Sequence, residues 1–141
     1  MRFIYDKSDI LIPWVKKRIN GVCFDTDATA IGVEINDDIA AAVVFDEFTR
    51  NGCSFSVAAK QGTNWLTRSF LVRVFAYPFL QCGLNRIGSL VSVDNSRAIR
   101  LNEGIGMVRE GIIRNAGING EDLIAYGMLR EECRFIPKKR D

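Results

Sequence analysis

The chain has 141 residues, of which 48% are hydrophobic and 26% are charged, as is typical of one soluble globular domain. We therefore expect a single domain over residues 1–141. The net charge of +2 is too small to require a nucleic-acid partner. The sequence has no histidine, which excludes Ser-His and Cys-His nucleophile pairs and imidazole bases.

The sequence predicts a cytoplasmic protein without a membrane partner. No segment approaches the roughly 18 apolar residues of a membrane span, and acidic residues stand where a signal peptide would be apolar. The four cysteines have no metal-like spacing, so we expect reduced, mostly buried thiols and no metal site, with one nucleophilic thiol as the alternative. These cysteines are Cys23, Cys53, Cys82 and Cys133.

Hydrophobic periodicity and turn residues predict the element order β-α-β-β-β-α-β-α-β-β. The predicted elements cover residues 2–5, 8–19, 29–35, 39–48, 53–59, 64–81, 87–93, 96–103, 107–114 and 122–130. We expect Ser8 to cap the first helix and Pro13 to lie in its first turn. Pro78 should kink or shorten the main helix. Three consecutive strands followed by β-α-β predict an α/β (α+β) fold, with a mixed sheet and helices on its faces.

A pattern around the third predicted helix carries a family resemblance. Asn95 is followed by Ala98, by Leu101 and then by the helix exit Ile105–Met107. This pattern, together with residues 120–135, resembles the second half of the Gcn5-related N-acetyltransferases (GNAT). It is most similar to the branch that modifies ribosomal-protein N-termini and to compact versions in phage and bacterial genomes. The resemblance implies a mixed, mostly antiparallel sheet with helices on both faces, in agreement with the predicted element order.

The resemblance implies an N-acetyltransferase that uses acetyl-CoA as co-substrate. The acetyl group would move directly to a primary amine of unknown identity in a ternary complex. The alternative is a non-catalytic module that binds acyl-CoA or another ligand on the same fold. A nucleic-acid accessory role is a third reading, disfavoured because the arginines are scattered over several elements.

Residues 58–68 join a strand to the main helix, and this segment suits a phosphate group. Amide groups at a helix start and the helix dipole favour an anion, and Lys60 and Arg68 are near. The family has a Gln/Arg-x-x-Gly-x-Gly/Ala loop here: Gln61 matches its first position, but Asn64 and Leu66 replace the glycines. Either the loop turns Leu66 into the core, or pyrophosphate binding is weakened.

The resemblance also implies a set of residues that contact the coenzyme. Backbone amides of Phe55–Ala58 would polarise the thioester carbonyl, and Asn95 would cap the third helix and contact the coenzyme. Arg97 and Arg100 would face either solvent or a phosphate. The implied coenzyme-binding residues are Phe55, Ser56, Val57, Ala58, Gln61, Gly62, Thr63, Asn64, Trp65, Leu66, Thr67, Arg68, Asn95, Ala98 and Asn102.

The catalytic groups are less directly indicated. Many family members have a tyrosine that protonates the leaving thiolate where this chain has Asn102, and an amide cannot act as an acid at neutral pH. Tyr126 is our substitute proton donor, with Cys53 and Ser54 as alternatives. Glu47, with Asp46 beside it, is our predicted base. Two other interpretations of this pair remain. Both carboxylates could be solvated charges at the end of a strand, or the base could act through water.

We expect the acceptor site where residues 21–29 approach the hairpin at residues 115–121. Four carboxylates would lie near this opening: Asp25, Asp27, Glu121 and Asp122. An acidic opening favours a cationic acceptor such as a lysine, polyamine, aminoglycoside or protein N-terminus. The tail around Phe135 and Ile136 is expected to be exposed, either as a homodimer contact or as a disordered terminus.

Overall fold

The computed structural model describes residues 1–138. These residues form one seven-stranded sheet and three α-helices in the predicted order, so the predicted fold class is confirmed. The elements are β1 (Arg2–Ile4), α1 (Ser8–Lys16), β2 (Thr29–Ile35), β3 (Asp38–Asp46), β4 (Gly52–Ala59), α2 (Arg68–Ala76), β5 (Arg86–Ser92), α3 (Ser96–Gly104), β6 (Val108–Ile113) and β7 (Leu123–Leu129). None of the helices within residues 1–138 is long and apolar enough to cross a membrane.

The strands lie in the spatial order β1-β2-β3-β4-β5-β7-β6. Neighbouring strands are antiparallel, except that β4 and β5 are parallel. A parallel pair requires a crossover connection, which α2 supplies. The parallel pair therefore stands near the middle of the sheet, between two antiparallel halves.

The two faces of the sheet carry separate apolar cores. On one face, Leu11 and Val15 of α1 pack against a cluster that includes Val44 of β3. On the other face, α2 contributes Phe70 and Phe75 to a larger cluster. Side chains alternate between the faces along each strand, which explains how β3 supplies both cores. We call these the α1 face and the α2 face.

The N-terminal helix departs from the prediction in three ways. Ser8 does not cap α1: its hydroxyl accepts a hydrogen bond from the amide of Ala30 at 3.0 Å, and so ties α1 to β2. Pro13 lies inside α1 rather than in its first turn. The helix ends at Lys16, so Ile19 lies beyond it.

The main helix begins four residues later than predicted, at Arg68 instead of Asn64. Thr67 is extended, and its hydroxyl accepts a hydrogen bond from the amide of Phe70 at 3.2 Å. This N-cap fixes the helix start. At its other end α2 continues as a π-helical turn, Tyr77–Gln81, which accommodates Pro78 without breaking the helix.

The C-terminal tail is buried where the sequence predicted exposure. Phe135 is 7% exposed and Ile136 is 8% exposed. The ring of Phe135 stacks on that of Phe75 at 5.4 Å between centroids, so this segment covers α2. The prediction of an exposed tail was therefore wrong for these residues, and the end of that predicted tail lies outside the described residues.

Candidate functional site

The parallel strands β4 and β5 pair along only part of their length. Their register consists of three pairs, Gly52–Arg86, Cys53–Ile87 and Ser54–Gly88. Within the described chain, residues 55–59 and 89–92 are not paired with each other, so a gap opens between the strands. The gap lies towards their carboxyl ends.

Backbone donors of β4 point into this gap. The amide of Lys60 donates a hydrogen bond to the carbonyl of Ala40 on β3 at 2.7 Å. Amide directions alternate along a strand, and β3 and β4 pair without a register shift from Ala59 to Ser54. The amides of Val57 and Ala59 therefore point away from β3 and towards β5.

A cleft of about 530 Å³ lies where the gap opens, between the end of β4, the following loop and α3. Its lining includes many of the predicted coenzyme residues: Val57, Gln61, Gly62, Thr63, Trp65, Leu66, Asn95 and Ala98. Asn64 lines a smaller neighbouring pocket. The other predicted coenzyme residues do not line the cleft: Phe55, Ser56, Ala58, Thr67, Arg68 and Asn102.

Three cationic side chains surround the cleft. Lys60, Arg97 and Arg100 all line it, and Lys60 is also 3.8 Å from a carboxylate oxygen of Asp38. Arg97 and Arg100 are exposed, so they are both solvated and turned to the cleft. Such a cluster suits an anionic group, in particular a phosphate.

The loop after β4 shows whether Leu66 points into the core, which was one of its two predicted alternatives. Trp65 packs edge-on against Phe70, with 6.2 Å between ring centroids, and is partly buried beside the α2-face core. Leu66, the next residue, is 46% exposed and lines the cleft. The alternative in which Leu66 points into the core is therefore wrong, because Trp65 turns to the core instead.

The first turn of α3 is fixed by Asn95, as predicted. Its side-chain oxygen accepts a hydrogen bond from the amide of Ala98 at 3.1 Å. Ala98 and Leu101 line the cleft while packing against the core, and Ile105 is buried. One face of α3 thus forms a wall of the cleft.

Comparison with solved structures gives several matches to the spermidine N-acetyltransferase of Vibrio cholerae. A single-substitution variant shares 26% identity at a TM-score of 0.66, over 76% of this chain and 67% of that chain. The dodecameric form in an intermediate state shares 25% identity at the same score and coverage. The complex with manganese ions shares 19% identity at a TM-score of 0.71, over 92% of this chain and 91% of that chain. No protein-family model matches the sequence, and no curated protein does.

The chain has the GNAT fold. The fold that the resemblance drawn from Asn95, Ala98 and Leu101 implied is confirmed. The ribosomal-protein branch and the phage or bacterial versions remain predictions.

Tyr126 does not line the cleft. Its side chain is 1% exposed, and its hydroxyl donates a hydrogen bond to Oε2 of Glu103 at 2.7 Å. Arg109 donates to the same oxygen at 2.7 Å. Burial, and then the hydrogen bond to Glu103, raise the pKa of Tyr126.

Glu47 and Asp46 lie at the other end of β4, where Asp46 is paired with Ser54. Glu47 is exposed, and its Oε2 accepts a hydrogen bond from the hydroxyl of Ser54 at 2.9 Å. Asp46 is only 6% exposed, so a solvated carboxylate is wrong for this residue. Burial raises the pKa of Asp46.

The sequence predicted mostly buried thiols, and two of the four cysteines are buried. Cys53 and Cys133 are buried, whereas Cys23 and Cys82 are exposed. Burial raises the pKa of Cys53 to about 12, so almost no thiolate is present at neutral pH and this thiol is not a nucleophile. Within residues 1–138, no cluster of three or more carboxylate or thiol side chains could hold a metal ion.

The predicted acceptor segments do meet, while a common opening for their four carboxylates stays a prediction. The side chain of Ile118 occupies the place where a Cβ on Gly21 would lie. Asp25 accepts from the amide of Glu47 at 3.0 Å, at the end of β3. Glu121 and Asp122 instead accept hydrogen bonds within or beside their own loop, from Asn119 and Asn115 respectively, each at 3.0 Å. Three of the four predicted carboxylates therefore accept hydrogen bonds from backbone amides, which sequence spacing does not reveal.

Proposed function

We propose that this protein transfers an acetyl group from acetyl-CoA to a primary amine, directly and in a ternary complex. The observation that carries the proposal is the gap between β4 and β5, which opens into a cleft surrounded by three cations. The structural neighbours, which are named as spermidine N-acetyltransferases, support the same reaction class.

The cleft suits the two chemically different parts of acetyl-CoA. Lys60, Arg97 and Arg100 would hold its phosphates, and the helix dipole of α2 would add a favourable field. The amides of Val57 and Ala59 would bind the amide-containing arm that carries the thioester. Leu66 would give the cleft an apolar wall. Glycine at this position would let the backbone come closer to the coenzyme.

The transfer itself needs few side chains. The lone pair of the amine attacks the thioester carbonyl carbon, and a backbone amide of β4 stabilises the oxyanion. The carbon–sulfur bond then breaks, and the proton lost by the nitrogen passes to sulfur, directly or through water. This route requires no proton donor at Tyr126 or Asn102. Glu47 would accept the first proton of an ammonium acceptor, through water.

A cationic amine is the acceptor class that the charges favour. Asp25, Asp46 and Glu47 approach one another at the end of β3, where the amides of Asp25 and Glu47 also bond to carboxylates. Ser54, paired with Asp46, places this cluster beside the start of the gap. A polyamine, an aminoglycoside, a lysine or a protein N-terminus would meet opposite charge there.

The alternative is a binding module that holds acyl-CoA without turnover. It is favoured by the loop, where Asn64 and Leu66 replace the glycines of the family. A cytoplasmic location, a homodimer and the absence of membrane and nucleic-acid partners remain predictions.

Calorimetric titration of acetyl-CoA tests the proposal, with desulfo-CoA and ATP as controls. Micromolar binding that prefers acetyl-CoA, followed by thiol release in the presence of an amine, would support the enzyme. Binding without thiol release across a panel of cationic amines would favour the binding module, and no binding at millimolar coenzyme would refute both. Intact-mass measurement with acetyl-CoA alone should show no acetylated protein, because direct transfer forms no covalent intermediate.

A further inference from the structure

The predicted homodimer requires a contact surface other than the C-terminal tail. Phe135 and Ile136, which the sequence offered as that contact, are buried in the α2-face core. An uncovered surface lies on the other side of the sheet. The cluster beneath α1 draws its strand residues from β1 to β4, and both α2 and α3 pack on the α2 face. The described helices therefore leave the α1 face of β5, β7 and β6 uncovered, and we call this surface the open face.

Strand alternation and register assign the residues of the open face. Ile87 of β5 and Tyr126 of β7 belong to the α2-face core, so the residues next to them in each strand point to the open face. On β6, Val108 and Ile113 are paired with residues of β7 that point the same way. The apolar side chains of the open face are Leu90, Val108, Ile113, Leu123, Ala125 and Leu129.

The open face is apolar where a solvated sheet would be polar. An antiparallel sheet with one wet side normally alternates apolar residues towards the core with polar residues towards water. Here Leu90 is 59% exposed and Val108 is 47% exposed. Strand β7, from Leu123 to Leu129, has no polar side chain on this face. An exposed apolar patch of this kind indicates an interaction surface.

A charged pair lies flat on the open face and neutralises itself. Arg86 of β5 donates two hydrogen bonds to Glu110 of β6, one to Oε2 at 2.9 Å and one to Oε1 at 2.6 Å. The pair crosses β7 at Gly127, where a Cβ would collide with the Glu110 carboxylate. Both carboxylate oxygens are therefore bonded already. A partner that covers the pair would bury no unpaired charge.

The open face is complementary in shape to itself. Leu90 is paired with Ala125, and the next pair along the two strands is Gly88 with Gly127. Because these glycines have no side chains, the Arg86–Glu110 pair lies close to the backbone, beside the projecting Leu90. A two-fold axis in the plane of contact would set Leu90 of each copy on the flat ion pair of the other, as an isologous interface requires. A guanidinium group is weakly hydrated and accepts such an apolar contact.

We propose that the open face is a homodimer interface, on which a second copy of this chain stacks face to face. The charges favour this occupant, because the face is internally neutral and the net charge of +2 opposes association only weakly. A cationic acceptor would find the carboxylate of Glu110 already paired with Arg86. The partner that fits is therefore as apolar and as neutral as the face itself.

The size of the open face sets the strength of the dimer. Three strands of about seven residues, spaced about 4.8 Å apart, present roughly 330 Å² of flat area in each copy. Projecting side chains raise the accessible area above this value. Two copies would then bury about 1,000 Å², at the lower limit of specific interfaces. We therefore expect a dimer that dissociates in the micromolar range.

The test is sedimentation velocity of the unsubstituted protein and three variants between roughly 1 and 200 µM. Leu90→Glu and Val108→Glu each place a carboxylate on the open face. Ile10→Glu is the matched control, because Ile10 is an apolar residue of α1 that is 51% exposed and lies outside the open face. All three positions are exposed in a single copy, so the melting temperatures at the lowest concentration should be similar.

We expect micromolar dimers of the unsubstituted protein and of Ile10→Glu. Leu90→Glu and Val108→Glu should weaken dimerisation at least about tenfold, because each dimer would bury two unpaired carboxylates. A protein that stays monomeric throughout would overturn the proposal, and so would an assembly that both open-face variants leave intact. Equal weakening by Ile10→Glu would overturn it too. None of these outcomes depends on coenzyme binding.

A mixing experiment tests the two-fold arrangement directly. An axis beside Leu90 brings the two copies of this residue near each other, so opposite charges introduced there should attract. An equimolar mixture of Leu90→Glu and Leu90→Lys should dimerise more tightly than either variant alone. A mixture that is no tighter than its components would contradict the proposed stacking.

Discussion

The hydroxyl of Tyr126 donates a hydrogen bond to Oε2 of Glu103 at 2.7 Å, between β7 and α3. The same hydrogen bond, and then that of Arg109, lower the pKa of Glu103, so this carboxylate stays ionised and accepts the hydrogen bond from the phenol. The tyrosine that was predicted as a substitute proton donor thus bonds to an internal acceptor. Its contribution is to join the last strand to the third helix.

Tyr126→Phe should leave acetyl transfer close to that of the unsubstituted protein and lower its stability. The lost hydrogen bond is made to an exposed carboxylate that Arg109 also binds, so the free energy of unfolding should fall only modestly, whereas losing a general acid costs roughly 10²–10⁴-fold in rate. Urea unfolding and steady-state thiol release measure the two effects. A rate loss of the larger size in a folded Tyr126→Phe protein would restore Tyr126 as the proton donor.

Asp46→Asn should raise the free energy of unfolding at neutral pH. Burial raises the pKa of Asp46 above its ordinary 3.8, so the ionised form is disfavoured in the folded protein relative to the unfolded one. This cost is fully present above the folded pKa, shrinks as the pH falls through that pKa, and is absent below 3.8, where both states are protonated. The gain in stability of the variant should therefore disappear on acidification. Urea unfolding at several pH values would measure it, and an equal gain at all pH values would contradict the explanation.

Gly52→Ala should destabilise the fold by forcing β4 and β5 apart where they pair. A Cβ on Gly52 would lie 2.9 Å from the carbonyl oxygen of Arg86, its partner in the parallel register. Overpacking of this kind typically costs about 1–3 kcal/mol. Gly111→Ala is the matched control, because a Cβ there meets nothing within 4 Å among the described residues. Thermal unfolding of both variants checks the prediction, and equal melting temperatures would contradict it.

The order of the elements was predictable because it depends on local patterns. Alternating and helical apolar periods, and the turn at Asn36, give the strands and helices in their correct sequence. Helix ends were less predictable, because tertiary contacts decide them. Ser8 has the ordinary chemistry of an N-cap, yet its hydroxyl bonds to Ala30 on β2.

Some residues of the candidate site could also be predicted from the sequence, and others could not. Asn95 and the loop around Gln61 were found from sequence because each belongs to a motif with fixed spacing. The sequence did not decide whether Arg97 and Arg100 face solvent or a phosphate. The position of α3 against the cleft shows that both side chains line it. Oδ1 of Asn102 is buried and has no hydrogen-bond partner among residues 1–138, which could not be predicted because it depends on the tertiary packing around α3.

Arg100→Ala should weaken coenzyme binding roughly three- to tenfold, because an exposed guanidinium beside the cleft would contact a phosphate through a charged hydrogen bond. Alanine is a good helix former, so α3 should keep its stability. The weakening should be larger at low than at high salt, since ions screen exposed charges. Arg50→Ala is the control: it removes the same charge from the exposed turn before β4, at the opposite end of that strand. Equal affinities of the two variants at low salt would show that Arg100 does not hold the coenzyme, and would leave Lys60 and Arg97 as the phosphate ligands.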